Sequence, residues 1–572
     1  MITRRELLGA AAAAVCTSFV SAQRVLQQFD YGQVQLDAGP LATQCEQTHA
    51  LLMGLDEDSL LRPMRVREGL PAPGRDMGGW YDTYAFAPAC TFGQWVSALA
   101  RYYAATGDVA TRDKVNRLVR AYAATVEPKG KFYIENRFPA YFYDKIVCGL
   151  MDAHQFVDDP IALPTLRRAT DAALNYLPPK AMPHHDTPVL HHEDFTEHWW
   201  DESYTLPENL FIVWQRSGDS RYRDLAQRFL FNDEYFDPLA RGENVLPGRH
   251  AYSHVNALSS AAKAYLVLGD DKYLKAAQNG LRMVEAQSYA TGGWGPDEHF
   301  VVPGSGKLGE SLNHTHASFE TPCGSYAHFK LTRYLLRITR DSRYGDSMER
   351  VMYNTVLGAK PIQSDGQSFY YSDYNFQGHK FYHPDKWPCC SGTLPQVAAD
   401  YRISTYFLDS DDVYVNLYVP SAARWNGRSL RQRTEYPYSN DVRLDLSAPS
   451  PATFSIFLRI PEWTRAPRVT VSGVRDSRQL APGTFAEIRR EWKNGDRIEL
   501  ELPRPKRLTA VDAEHPDTVA VMQGPLVLMA VGSLPARIER AELLSEKPET
   551  LRLKSFMEIQ DEPYTTYLRT TG

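Results

Sequence analysis

Two cysteines are adjacent in this chain, in Trp387-Pro388-Cys389-Cys390-Ser391-Gly392-Thr393. A carboxylate and a third cysteine stand close together upstream, in Phe319-Glu320-Thr321-Pro322-Cys323. Vicinal cysteines rarely bond to each other, because the ring strains the peptide between them. Three thiolates and one carboxylate (Glu320, Cys323, Cys389, Cys390) would complete a tetrahedral zinc site. The spacing is not that of a zinc finger. On spacing alone the same residues read equally well as buried free thiols, or as disulfide partners of Cys45, Cys90 or Cys148.

Other clusters carry weaker chemistry. His184-His185-Asp186 and His191-His192-Glu193 look like a second metal site. They lack the i, i+4 spacing of a helix and stand in a Pro-rich stretch, which favours a solvated or substrate-facing loop. Trp199-Trp200-Asp201-Glu202 and Gly78-Gly79-Trp80-Tyr81 offer stacking platforms for sugar rings, although core packing explains each Trp about as well. Glu208, in Leu206-Pro207-Glu208-Asn209-Leu210, begins a helix and either points into a cleft or caps its own helix. Ser391-Gly392-Thr393 reads as a turn, since no lysine follows to make a phosphate cradle. No Ser-His-Asp pattern, Rossmann glycines or P-loop is visible.

The elements that must position these residues change character along the chain. From about residue 41 to 408 amphipathic runs recur at helical spacing, as in Gly93-Gln94-Trp95-Val96-Ser97-Ala98-Leu99-Ala100. A junction repeats at Gly107-Asp108, Gly218-Asp219 and Gly269-Asp270, and in altered form at Arg340-Asp341. Gly ends one helix in the left-handed conformation and Asp caps the next. Tyr222, Tyr273 and Tyr344 follow three residues after the Asp in three of these. Repeated helical hairpins of this size predict a closed (α/α)6 toroid with long loops over its mouth; an open solenoid is the alternative. After residue 408 the period becomes two, as in Val442-Arg443-Leu444-Asp445-Leu446 and Arg497-Ile498-Glu499-Leu500-Glu501-Leu502, which predicts a β-sandwich. The expected organisation is an α/α toroid over 23–408 and a β-sandwich over 409–572.

Residues 1–22 read as an address. Arg4-Arg5 precede a short apolar run that ends in Val20-Ser21-Ala22, the pattern of a cleaved export signal of twin-arginine type. The expectation is an exported protein, periplasmic or secreted, with no membrane span in the mature chain. With 572 residues the chain is roughly three to four typical domains long, so a single small module is excluded. Its 43% apolar and 12% aromatic content suffices for a large core. The formal net charge of −6 is evenly mixed, and no basic stripe points to nucleic acid or anionic membrane as a partner. Seven cysteines are too few for a disulfide scaffold in a chain this long.

The motifs carry a resemblance. Glu320 to Cys323 followed by Lys330-Leu331-Thr332-Arg333, then Met348-Glu349-Arg350-Val351-Met352-Tyr353-Asn354, Phe369-Tyr370-Tyr371, the Cys389-Cys390 pair and Val519-Ala520-Val521-Met522-Gln523-Gly524-Pro525 resemble the β-L-arabinofuranosidases of glycoside hydrolase family 127 and its sister family 146. Weaker similarity reaches back to about residue 41. The resemblance implies a toroid plus β-sandwich architecture and a retaining hydrolase that removes terminal β-L-arabinofuranose, or a related furanoside, from plant-type glycan side chains. It implies Zn2+ held by Glu320, Cys323, Cys389 and Cys390, with Cys389 as nucleophile. For the acid/base it points to Glu310, in Lys307-Leu308-Gly309-Glu310-Ser311, with Glu298 as runner-up and otherwise a substrate-binding residue. Glu349 and Tyr371 match sugar-contacting positions.

The chain departs from the family pattern in places. An extra residue makes the motif Glu-x-x-Cys, and Trp387 stands where a cysteine is often found. Leu206 and Leu150 lie near the usual sugar-binding histidines, and the chain offers His250 and His254 instead. Two other readings stay open at this point: a metal-independent toroid glycosidase or lyase using paired carboxylates such as Glu208 and Glu310, and a non-catalytic glycan-binding protein with a structural zinc. A homodimer is left open.

Overall fold

The structure, a computed structural model, describes residues 24–134, 136–183, 201–546 and 551–571. The export signal, the two His-rich clusters and Trp199-Trp200 lie outside the described residues. In chain order the helices begin with α1 (Pro40–Gly54), α2 (Glu57–Arg67), α3 (Phe92–Thr106), α4 (Val109–Ala123), α5 (Pro139–Val157), α6 (Ala162–Ala173), α7 (Leu206–Ser217) and α8 (Ser220–Arg228). A one-turn α9 (Asp237–Ala240) precedes α10 (Ala251–Leu268) and α11 (Asp271–Glu285). A short α12 (Lys307–Ser311) precedes α13 (Thr321–Thr339), α14 (Arg343–Asn354) and α15 (Cys390–Thr405).

Among the described residues α3, α5, α7, α10, α13 and α15 pack side by side in that order, and α15 returns against α3. The ring is therefore closed. Each of these helices has an outer partner: α4, α6, α8, α11 and α14 follow theirs in sequence, and α1 covers α15. This is the (α/α)6 toroid, and it is not an open solenoid. The inner helices are buried almost continuously, as over residues 140–153 of α5, whereas an outer helix such as α8 buries only Tyr222, Leu225 and Ala226. Backbone meets backbone where α3 crosses α5. A Cβ on Gly93 would stand 2.0 Å from Lys145 O, and one on Gly149 2.4 Å from Gly93 O.

The Gly-Asp junctions set the hairpins. Gly107, Gly218 and Gly269 adopt φ between 70° and 74°, and the side chains of Asp108, Asp219 and Asp270 accept N–H groups of the next helix. Arg340 takes the same left-handed conformation (φ 61°) where the glycine is missing. The recurrent Tyr222, Tyr273 and Tyr344 are buried and anchor the outer helices.

The strands form more than one unit. Gln27–Gln28, Tyr406–Asp409, Asp412–Val415, Ala452–Ile460 and Thr484–Trp492 make one sheet. A second sheet runs from Val474–Arg475 through Arg468–Val471, Arg497–Glu501, Asp441–Ser447 and Arg428–Thr434 to Ser421–Trp425 and Val34–Leu36. The two face each other as a sandwich, with Trp425 of one packed edge-on against Phe454 of the other at 6.0 Å. Two short strands ahead of the helices thus join the sandwich as edges. Beyond residue 505 a third sheet has small cores of its own, built on residues such as Val521, Leu543 and Phe556. Period-two patterning shows that strands exist, not which of them share a sheet.

Sandwich and toroid meet across a buried ion cluster. Arg459 of Ala452–Ile460 is fully buried and pairs with Asp346 and Glu349 of α14, the latter at 2.6 Å. Glu349 also accepts hydrogen bonds from Tyr436 Oη (2.5 Å) and Trp463 Nε1 (3.2 Å). Glu349, expected to touch sugar, is therefore an interface residue, because α14 lies on the outer ring and turns its buried face to the sandwich. No helix among the described residues is long and apolar enough to cross a membrane.

Candidate active site

The thiol and carboxylate motifs meet where two inner helices begin. Residues Phe319–Glu320 pair antiparallel with Tyr371–Ser372, Glu320 opposite Tyr371. The chain then turns directly into α13, with Pro322 in the first turn, where its missing N–H costs nothing, and Cys323 just after it. Cys389 caps α15 and Cys390 is its first residue. The turn before it is strained: Trp387 has φ 49°, a conformation that bulky residues rarely adopt. Its indole is held by a hydrogen bond to Met77 O (3.0 Å) and by edge-on contact with Trp95.

Four ligand atoms, one each from Glu320, Cys323, Cys389 and Cys390, lie within 4.8 Å of one another, and all four residues are buried. Glu320 Oε1 is 3.3 Å from Cys389 Sγ and 4.0 Å from Cys390 Sγ. Cys390 Sγ is 3.4 Å from Cys323 Sγ. The extra residue in Glu-x-x-Cys is accommodated because the glutamate sits in the strand and the cysteine in the helix. All six described cysteines are free, so none of the disulfide alternatives is formed. Glu320 Oε2 is buried with no hydrogen-bond partner among the described residues. Soft sulfurs and an orphaned carboxylate oxygen are a donor set that fits a divalent metal.

Cys389 and Glu320 open onto a cavity of about 200 Å³. Pockets for drug-sized ligands run from about 300 Å³ upward, so this one suits a single sugar unit. Its walls are largely aromatic: Trp80, Phe86, Phe138, Tyr141, Tyr252, Tyr370, Tyr371 and His383 line it together with Glu202, His250 and Glu298. Tyr371 Oη donates to Glu298 Oε1 at 2.5 Å, and Tyr370 Oη lies 3.3 Å from Cys389 Sγ. His250, the N-cap of α10, stands among three carboxylates. Its Nε2 is 3.6 Å from Glu298 and 3.8 Å from Glu320, and its Nδ1 is 3.5 Å from Glu202.

The charges follow from this crowding. Burial pulls the His250 imidazole down, but Glu298 and Glu202 outweigh it and hold it above its ordinary range. Burial pushes Glu298 up, yet His250 and the two tyrosine hydroxyls bring it down to about 2. Glu202, with weaker compensation, is pushed by burial up to about 7. At Cys389 burial raises the thiol, and hydrogen bonds from the neighbouring thiols and from Tyr370 more than reverse it, leaving it well below the usual thiol range.

The structure separates the expected site residues. Glu298, His250 and Tyr371 line the cavity with Cys389 and Glu320. Glu310 does not. It is exposed on α12 and paired with Lys307 at 2.7 Å, which leaves the runner-up Glu298 as the one of the two carboxyls that lines the cavity. His254 lies one turn below His250, its Nδ1 2.8 Å from His250 O, outside the cavity wall. Glu208 forms a buried ion pair with Lys330 and accepts from Tyr334 Oη. Neither carboxylate of the proposed Glu208/Glu310 pair reaches the cavity, which removes the paired-carboxylate reading in that form. The Gly78 to Tyr81 platform divides: Trp80 lines the mouth, and Tyr81 is core. Glu202 and Tyr370 also line the cavity, and the sequence assigns neither a functional role of its own. Tyr370 stood beside Tyr371 in an aromatic run, whereas Glu202 had only its place after two tryptophans.

A closed helical toroid with thiols and carboxyls facing a sugar-sized aromatic cavity fits the class of glycan-cleaving enzymes. The comparisons agree. A family model described as "Beta-L-arabinofuranosidase, GH127 catalytic domain" matches residues 33–402, and the GH127 middle-domain model matches residues 412–504. The chain belongs to glycoside hydrolase family 127. Among solved structures it resembles a GH127 beta-L-arabinofuranosidase from Geobacillus Stearothermophilus T6, with a TM-score of 0.70 and 18% identity over 94% of this chain and 100% of that one. It also resembles the GH127 beta-arabinofuranosidase BT3674, with a TM-score of 0.73 and 18% identity over 96% and 98% of the two chains. No curated protein matches the chain.

Proposed function

We propose that this enzyme releases terminal β-L-arabinofuranose, or a closely related furanoside, from plant-type glycans with retention of configuration, and that it acts after export. The observation that carries this reading is the meeting of Cys389, Glu298 and His250 on one cavity of monosaccharide size. Family membership and the names of the similar structures support the substrate class.

Glu320, Cys323, Cys389 and Cys390 would hold Zn2+, which when bound keeps the sulfurs as thiolates and fixes their direction. The chain's own residues do the rest. Cys389 Sγ attacks the anomeric carbon, forming a C–S bond as the glycosidic C–O bond breaks. At neutral pH the one proton of the His250/Glu298 pair rests on His250, 3.6 Å from Glu298, and Glu298 faces the cavity to relay it to the leaving oxygen. In the second step Glu298 takes a proton from water, whose oxygen attacks the same carbon and expels Cys389. Two displacements at one carbon give retention. Tyr371 holds the Glu298 carboxylate, and the aromatic walls cover the apolar face of the ring.

A panel of aryl furanosides and pyranosides tests this, with mass spectrometry of the enzyme during turnover. Turnover of the β-L-arabinofuranoside with a pentosyl adduct on Cys389 is expected. Rapid turnover of a pyranoside alone, or of the furanoside by Cys389→Ala, would overturn the reading.

A further inference from the structure

A second cluster of metal-binding side chains lies away from the cavity. The Asp373 side chain is fully buried, and its Oδ2 is 2.8 Å from His316 Nδ1 and 3.5 Å from His379 Nδ1. The two imidazoles are half exposed, with ring centroids 5.4 Å apart at 65°. One ligand atom from each of the three residues falls within 4.8 Å of the others. Among the described residues no Lys or Arg pairs with Asp373; the side chains that face its carboxylate at ion-pair distance are these two imidazoles. A buried carboxylate with no permanent cation is costly, and a dication in front of it removes that cost.

The carboxylate is also aimed. Asn375 N–H donates to Asp373 Oδ1 (2.9 Å) and His379 N–H to Oδ2 (3.1 Å), the backbone support that orients metal-ligating carboxylates. Two imidazoles and one carboxylate, open to water on the remaining side, suit Zn2+ or Co2+ better than the hard Mg2+ or Ca2+.

The position gives such a site a use. His316 lies three residues before Phe319–Glu320, and Asp373 follows Tyr371–Ser372 directly, so the cluster closes the outer end of the ladder that carries Glu320 and Tyr371. The same segment pins the turn bearing Glu298: Asp297 N–H donates to Ala317 O (2.9 Å) and Thr315 Oγ1 to Asp297 Oδ1 (2.5 Å). We propose that His316, Asp373 and His379 bind a divalent transition metal at a second, solvent-facing site that ties the 313–318 loop to the 373–379 loop behind the catalytic ladder.

The test is metal stoichiometry on the full chain after equilibration with micromolar Zn2+ and removal of free metal. Both histidines are exposed, so His316→Ala/His379→Ala removes ligands without emptying the core. The double variant is expected to hold one ion fewer per chain than the unmodified protein, whether or not the thiol site is filled. Loading with Co2+ separates the two sites, because thiolate-to-cobalt charge transfer in the near ultraviolet reports only the cysteines. That band should be unchanged in the double variant. Equal zinc content in the two proteins would overturn the proposal, as would a loss of zinc matched by loss of the thiolate band.

Discussion

Glu320 Oε1 stands 3.3 Å from Cys389 Sγ, although one residue ends a strand before α13 and the other caps α15. Burial and the neighbouring sulfur push the Glu320 carboxyl well above its ordinary range, and burial does the same to the Cys323 and Cys390 thiols. Such groups ionise together only around a cation. A strong chelator should therefore lower both Tm and activity and, by loosening the packing that holds these thiols up, should make Cys390 and Cys323 reactive to alkylation at mildly alkaline pH. Calorimetry and mass-spectrometric mapping of the alkylated thiols check this, and added Zn2+ should reverse all three effects. Unchanged Tm and thiol reactivity with chelator would count against a metal at this site.

Cys389 faces the cavity, whereas Cys323 and Cys390 lie behind it. Cys389→Ala should reduce kcat by at least about 10³-fold, as loss of a covalent nucleophile does. Cys323→Ser also removes a metal ligand, so both variants should lower zinc per chain and Tm, but only Cys323→Ser should recover activity with excess Zn2+. Measuring kcat at matched zinc occupancy in the two variants separates the attacking sulfur from a ligand behind it.

Much of this was legible in the sequence, and the failures have local causes. The Gly-Asp junctions announced the hairpins because their chemistry is contained in two adjacent residues. The thiol cluster was legible because two sulfurs are neighbours in sequence. The sequence ranks Glu310 above Glu298 because nothing local shows which carboxyl folds inward. Glu298 is delivered by a turn in which Asp297 and Glu298 both have positive φ, 53° and 63°, a conformation without periodicity. Glu349 was misplaced for a related reason. Its helix is amphipathic, but only the tertiary packing decides that the buried face meets Arg459 and not the cavity.

Glu298 and Glu310 are separated by substitution. Glu298→Gln should lower kcat on alkyl glycosides by about 10²–10⁴-fold and much less on an aryl glycoside with an acidic leaving group. Glu310→Gln should stay within about twofold of the parent, since its carboxylate is exposed and bonded to Lys307.

The pH profile should report the proton shared by His250 and Glu298. His250 has its pKa raised, so the proton is fully present below the ordinary imidazole value and is lost as pH rises through the raised one. Activity should fall on the alkaline side, and His250→Gln should move that limb toward acid. A limb at the same pH in both proteins, measured as kcat/KM, would assign the titration elsewhere.

Arg459 offers the sharpest test of where Glu349 belongs. Its guanidinium is fully buried, it pairs with both Asp346 and Glu349, and burial holds Asp346 up at about 6 even so. Removing one member of a buried pair strands the other, at a cost of about 3–5 kcal/mol. Arg459→Met should lower Tm by several degrees, and pairing it with Glu349→Gln should recover part of that loss, because a neutral amide no longer needs the cation. Neither change touches the cavity wall, so KM for the furanoside should stay within about twofold in whatever fraction remains folded. Were Glu349 a sugar ligand instead, Glu349→Gln would raise KM tenfold or more and leave Tm nearly unmoved. The two assignments thus predict opposite responses in the same pair of measurements.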